Sequence, residues 1–122
     1  MEIRKVNIGN NEYMFINEYW DRSNAWGHKT TLFKNSFEIM DHKCRYYNRT
    51  WEVYTYQTCM ACTLDDLYDS TLNRYIRNYK YTNNIDRFKK GQKKQLIEDF
   101  NKTEIAQDIQ KLKACVRDRN FN

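Results

Sequence analysis

In the stretch YYNRTWEVYTYQTCMAC, residues 46–62, two hydrophobic periods meet. From Thr50 onward Val53, Tyr56, Met60, Leu64, Leu67, Leu72, Tyr75, Ile76 and Tyr79 recur at spacings of mostly three and four, which is the stripe of an amphipathic helix. Upstream, apolar residues alternate in short runs bounded by turn residues, which is the pattern of half-buried strands. The chain therefore passes from sheet to helix inside this stretch. Asn48 or Thr50 is placed to cap the helix, and Glu52 in its first turn suits the positive end of the helix dipole. A helix of roughly 28 residues follows, and Asn83-Asn84 breaks it.

Working outward, IRKVNI (3–8) and EYMFINEYW (12–20) flank a Gly9-Asn10-Asn11 turn. GHKTTLF (27–33) and SFEIMDHKCRYY (36–47) flank Lys34-Asn35-Ser36 as a second hairpin. Met14, Ile16 and Trp20 alternate with Tyr13, Phe15 and Tyr19, so both faces of that strand are partly apolar and its register is weakly specified. Phe37 and Ile39 occupy one phase of the last strand and Met40, Cys44 and Tyr46 the other, and a bulge near Ile39-Met40 reconciles them. Beyond the long helix, Phe88, Leu96, Ile97 and Phe100 mark a further helical region. A last helix from about Thr103 carries Ile105, Ile109, Leu112 and Val116. The fold expected is α+β: a small antiparallel sheet of about four strands in two hairpins, then a long helix and one or two C-terminal helices. At 122 residues the chain has enough material for one domain with one core.

Composition narrows the function classes. Hydrophobic residues at 40% argue for a folded chain, and 30% charged residues with a mean hydropathy of -1.02 argue for a wet surface. No apolar run approaches the roughly 20 residues of a membrane span, and MEIRKVNIGNNEY lacks the apolar centre of a secretory signal, so a cytoplasmic protein without a membrane partner is expected. In that compartment Cys44, Cys59, Cys62 and Cys115 stay reduced, and the sequon Asn48-Arg49-Thr50 has no acceptor role. The net charge of +5 is uneven: residues 1–48 hold seven basic and six acidic groups, 49–83 four and four, 84–122 ten and six. Its centre is RFKKGQKK, where Arg87, Lys89, Lys90, Lys93 and Lys94 can attract a phosphate backbone by counterion release. The plainer reading of the same run is a solvated helix junction.

Few residues point to catalysis. Cys59 and Cys62 form a C-x-x-C pair, and with His42 and Cys44 they can in principle supply four soft ligands to zinc. Structural zinc sites usually place close ligand pairs on turns, whereas this pair falls inside a helix and its companions lie along a strand. Thiols packing as small hydrophobes are therefore expected, with no metal or other cofactor. Neither His28 nor His42 has a nucleophile motif beside it, and Gly9, Gly27 and Gly91 are isolated, which disfavours acyl transfer and phosphate-loop chemistry. Asp65, Asp66 and Asp69 on the long helix can hold a divalent ion for a nuclease, but helices commonly carry such carboxylates on their solvent side. No catalytic residue is assigned, and a non-enzyme is expected.

The tyrosines favour binding. Eight of the ten fall between Tyr46 and Tyr81, interleaved with Arg49, Arg74, Arg77 and Lys80, and aromatic faces beside cations stack on unpaired bases or anchor protein interfaces. Tyr56, Tyr75 and Tyr79 share the apolar stripe and are expected against the sheet. Arg49, Glu52, Tyr54, Arg74, Arg77 and Tyr81 fall off the stripe and are the candidate partner-binding residues.

The segments WGHKTTLF and YYNRTWEVYTYQT, within residues 25–72, resemble short accessory and counter-defence proteins of Gram-positive phages and mobile elements, in which a hairpin leads into a helix. The resemblance implies a non-enzymatic inhibitor of host defence, most of all an anti-CRISPR protein that binds a Cas nuclease or its guide-RNA complex. Many such inhibitors imitate nucleic acid with an acidic surface, and a basic chain disfavours that device. The alternative is a nucleic-acid-binding accessory or regulator of DNA or RNA.

Overall fold

A computed structural model describes residues 1–22, 25–46 and 56–122. Four strands, β1 (Glu2–Ile8), β2 (Asn11–Arg22), β3 (Ala25–Lys34) and β4 (Phe37–Tyr46), form an antiparallel sheet in the order β1-β2-β3-β4. Three helices follow: α1 (Tyr56–Thr82), α2 (Gln92–Asn101) and α3 (Glu104–Asp118). This is the α+β arrangement expected from the two periods. The expected cap at Asn48 or Thr50 and the expected helix onset near Thr50 lie outside the described residues.

The two hairpin turns among the described residues carry positive φ. Gly9 lies at φ 59°, and Asn35 and Ser36 at 50° and 73°. Asn35 also ties the two hairpins together, its backbone N–H donating to the Glu12 carbonyl at 2.8 Å while its side-chain oxygen accepts from the Glu12 N–H.

The register settles which apolar phase faces inward. Tyr13 pairs with Lys34, Phe15 with Leu32 and Asn17 with Thr30, and Tyr13, Phe15, Asn17, Thr30 and Leu32 are all fully buried. Met14, Ile16 and Trp20 lie on the opposite, less covered face. On β4 the pairing runs Leu32 with Met40 but Phe33 with Glu38, so Ile39 is the extra residue of a bulge. It lets Ile39 and Met40 both pack against the core, as the clash of phases required.

Helices α1 and α3 cover the inner face. Val6, Ile8, Tyr13, Phe15, Leu32, Met60, Leu64, Leu67, Ile109, Leu112 and Val116 make one apolar cluster. Every apolar position expected on α3 points into or toward it. A polar network runs from this layer to the surface: the buried Tyr13 hydroxyl donates to Asp108 Oδ2 at 2.6 Å, and Asn11, nearer the solvent, donates to Asp108 and to the exposed Glu104. Thr103 stands at the N-cap of α3 in extended conformation, as expected.

The stripe on α1 divides between two partners. Its buried residues, Cys59, Met60, Thr63, Leu64 and Leu67, all lie in the N-terminal half. Farther along, Tyr68 and Tyr75 pack on Phe100 of α2, with ring centroids 5.5 Å apart in both pairs. Tyr75 was expected against the sheet; it rests on α2 because the sheet-packed half of the helix ends before it. Phe88 is not helical: it lies in the link between α1 and α2, where Lys80 covers its ring.

Candidate functional site

The basic residues are concentrated in one stretch of the chain. Residues 73–94 contain eight Lys or Arg and one acidic residue, Asp86, which leaves thirteen basic and fifteen acidic groups for the rest of the chain. The whole positive excess therefore belongs to the C-terminal half of α1, the link after it and the first turn of α2. No residue between 73 and 94 is fully buried. Asn84 at φ 54° and Gly91 at φ 80° turn the chain at the two ends of the link, and Ile85 N–H closes the helix end on the Lys80 carbonyl at 2.9 Å. RFKKGQKK is thus a helix junction rather than a continuous helical face.

Arg74, Arg77 and Tyr81 are exposed, Tyr81 at 89%. At 3.6 residues per turn these three fall within an arc of about 60°, centred roughly 140° round the helix from Tyr68 and Tyr75, which face α2. The candidate surface draws on two sets of residues. Arg74, Arg77 and Tyr81 form one, with Arg74 lining a groove beside Lys34, Glu38, Leu67 and Ile105. Arg87, Lys89, Lys90, Lys93 and Lys94, all exposed, sit on the link and the first turn of α2 and form the other. Arg49, Glu52 and Tyr54 lie outside the described residues.

The three carboxylates of α1 do not share a site. Asp65 pairs with Lys113 of α3 at 2.8 Å, Asp66 meets Nδ1 of His42 on β4, and Asp69 is exposed. Side chains at i, i+1 and i+4 spread over more than one helix face, so packing against α3 and β4 draws Asp65 and Asp66 to different partners. The constellation a nuclease would need is dispersed.

A second cluster forms where β4 passes beneath α1. His42 and Cys44 alternate inward on the strand, and Cys62 reaches them from the helix: one donor atom of each lies within 4.8 Å of the others. Burial, together with the adjoining Cys44 thiol and the charges of Asp65 and Asp66, pushes the Cys62 thiol up to about 11. Cys59 takes no part. Fully buried, it points its thiol at the carbonyls of His28 and His42, at 3.6 and 3.7 Å, and so packs as the small hydrophobe expected. The C-x-x-C spacing drew attention to the wrong pair, because residues three apart on a helix are turned by about 60° from one another. Cys62 and Asp66, one turn apart, are the residues that share the β4 side, and an i, i+4 reading against an i, i+2 strand pair is the signal that finds them.

A third grouping is aromatic. His28 stacks on Tyr56 with centroids 4.4 Å apart and meets Trp26 at 5.6 Å and Tyr19 at 6.0 Å. These rings join the start of α1 to the sheet, which is the role expected of Tyr56. Among the described residues, no helix is long and apolar enough to cross a membrane.

No protein-family model matches this chain, and no curated protein or solved structure matches it either, so its function is read from its own geometry.

Proposed function

We propose that the protein acts by binding, as a non-enzymatic inhibitor of host defence carried by a phage or mobile element, and that its partner in the bacterial cytoplasm is a Cas effector holding its guide RNA. The observation that carries the binding reading is the collection of the entire positive excess on one exposed, aromatic-bearing segment, residues 73–94. Such a segment is attracted to an anionic partner and offers Tyr81 and two arginines as anchors. The likeness of residues 25–72 to phage accessory proteins supplies the choice of target. The dispersal of Asp65, Asp66 and Asp69 supports binding over hydrolysis.

Pull-down and cleavage assays with guide-loaded Cas nucleases test the proposal. Stoichiometric capture and loss of cleavage are expected, weakened about thirtyfold or more by Arg74→Glu with Arg77→Glu, since a single charged anchor of this kind contributes about 2 kcal/mol or more. Absence of both binding and inhibition across the effectors of a host would sink it.

The density of charge on Arg87 to Lys94 favours a second reading, direct binding of DNA or RNA. It predicts that the protein alone retards nucleic acid in a gel, with affinity falling steeply as salt rises. Indifference to nucleic acid at low salt would remove this reading and leave the first intact.

A further inference from the structure

Four side chains from two elements meet beside the N-terminal half of α1. β4 offers His42 and Cys44, two residues apart and so on one face of the strand. α1 offers Cys62 and Asp66, one turn apart and so on one face of the helix. The donor atoms of His42, Cys44 and Cys62 lie within 4.8 Å of one another, and Oδ2 of Asp66 sits against Nδ1 of His42. All four residues are half-buried. We propose that this cluster binds a soft divalent cation, zinc above all, which clips β4 to α1.

The donor set selects the ion. Two thiolates and an imidazole suit zinc or cobalt, whereas magnesium and calcium require oxygen ligands. Zinc bonds of about 2.3 Å to sulfur and 2.0 Å to nitrogen place neighbouring donors roughly 3.3 to 3.8 Å apart in a tetrahedron. Contraction by no more than about 1.5 Å therefore closes the site, a distance that χ1 adjustment of half-buried side chains supplies. Asp66 has the place of the carboxylate in a carboxylate–histidine–metal pair: holding Nδ1, it fixes the ring and leaves Nε2 for the ion. The fourth position falls to water. Binding releases the two thiol protons to solvent. Hydrophobic packing accounts for Cys59, but it gives no reason for an imidazole and a carboxylate to gather round Cys44 and Cys62. The ion would join the two elements that flank residues 47–55, so its binding energy would add to the stability of the fold.

The test is titration of the full-length, fully reduced protein with cobalt(II), followed by displacement with zinc(II). One cobalt per chain is expected, with the visible bands of tetrahedral coordination and a near-ultraviolet thiolate-to-cobalt charge-transfer band that zinc abolishes. Cys62→Ser and Cys44→Ser should each lose about half or more of the charge-transfer intensity, while Cys115→Ser, on α3, keeps it. Asp66→Asn should retain the spectrum and lose about tenfold or more in affinity. A folded, reduced protein that gives no tetrahedral cobalt spectrum overturns the proposal, as does an unchanged spectrum in folded Cys62→Ser. Should the serine variants not fold, X-ray absorption of the zinc-loaded wild type decides: two sulfur ligands are expected, and a shell without sulfur refutes the site.

Discussion

Tyr13 shows what single positions contribute. Its ring is fully buried and its hydroxyl donates to Asp108, itself 5% exposed. Burial first, and then the Asp108 and Glu104 charges, hold the phenol well above its ordinary range. Below about pH 10 both folded and unfolded chains keep this proton, and the group leaves stability independent of pH. As pH rises further the unfolded chain releases the proton that the fold retains, so stability falls by about 1.4 kcal/mol per pH unit. Tyr13→Phe should therefore cost about 1.5 to 3 kcal/mol at neutral pH, since it leaves a buried carboxylate short of a donor, and should flatten the alkaline decline. Urea midpoints at neutral and alkaline pH measure both effects; an unchanged alkaline slope would show that Tyr13 titrates normally. Gly27 makes the opposite kind of contribution. A Cβ there would run into the Cys44 carbonyl and the Trp20 ring, and the carbonyl belongs to the adjoining strand and cannot swing aside. Gly27→Ala should cost about 1 to 3 kcal/mol in thermal or urea unfolding. The sequence marks Gly27 only as an isolated glycine, because what excludes a side chain is a residue seventeen positions away on the next strand.

At the scale of elements, periodicity located the strands and helices well, yet left the partner of each stripe open. The bulge at Ile39 was legible, since two apolar phases in one short strand admit few other solutions. The inward phase of β2 was not, because Tyr13 and Phe15 are matched by Met14 and Ile16 on the other face. On α1 the stripe runs on to Tyr79 without recording that the sheet ends and α2 takes over. Phe100, 2% exposed beneath Tyr68 and Tyr75, is the pivot of that second contact. Phe100→Ala should cost about 3 to 5 kcal/mol if α2 folds as part of the whole. If α2 can detach by itself, hydrogen exchange will separate the halves of α1. Amides near Leu64 and Leu67 would then keep their protection, and those from Tyr75 to Thr82 would exchange faster. Uniform loss along the helix would mean that the two packing layers unfold together.

Across the whole molecule the decisive property is the separation of charge from core. The excess of eight basic groups over one acidic group lies on residues 73–94, none of them fully buried, whereas the remaining chain is slightly acidic. Reversing these charges should consequently leave stability within about 0.5 kcal/mol, as surface changes do, while altering binding strongly. The composition of RFKKGQKK was legible in the sequence; its place at a junction between two helices, with Phe88 beneath Lys80, was not, because it depends on the turns at Asn84 and Gly91. Because α1 and the junction after it carry separate sets of cations, the two proposed partners are distinguishable. A nucleic acid lying along the link would touch Lys89, Lys90, Lys93 and Lys94. Lys93→Glu with Lys94→Glu would weaken it and lower the salt slope by about 0.9 for each duplex phosphate that is no longer neutralised. Arg74→Glu with Arg77→Glu, on α1, would leave that slope unchanged. An effector that encloses residues 73–94 would touch both sets, and either pair of reversals would speed its dissociation. Combining the two pairs should then be additive within about 0.5 kcal/mol, since the sets share no partner. Sensitivity to the link pair alone would assign the segment to nucleic acid, and sensitivity to both would assign it to an enclosing protein partner.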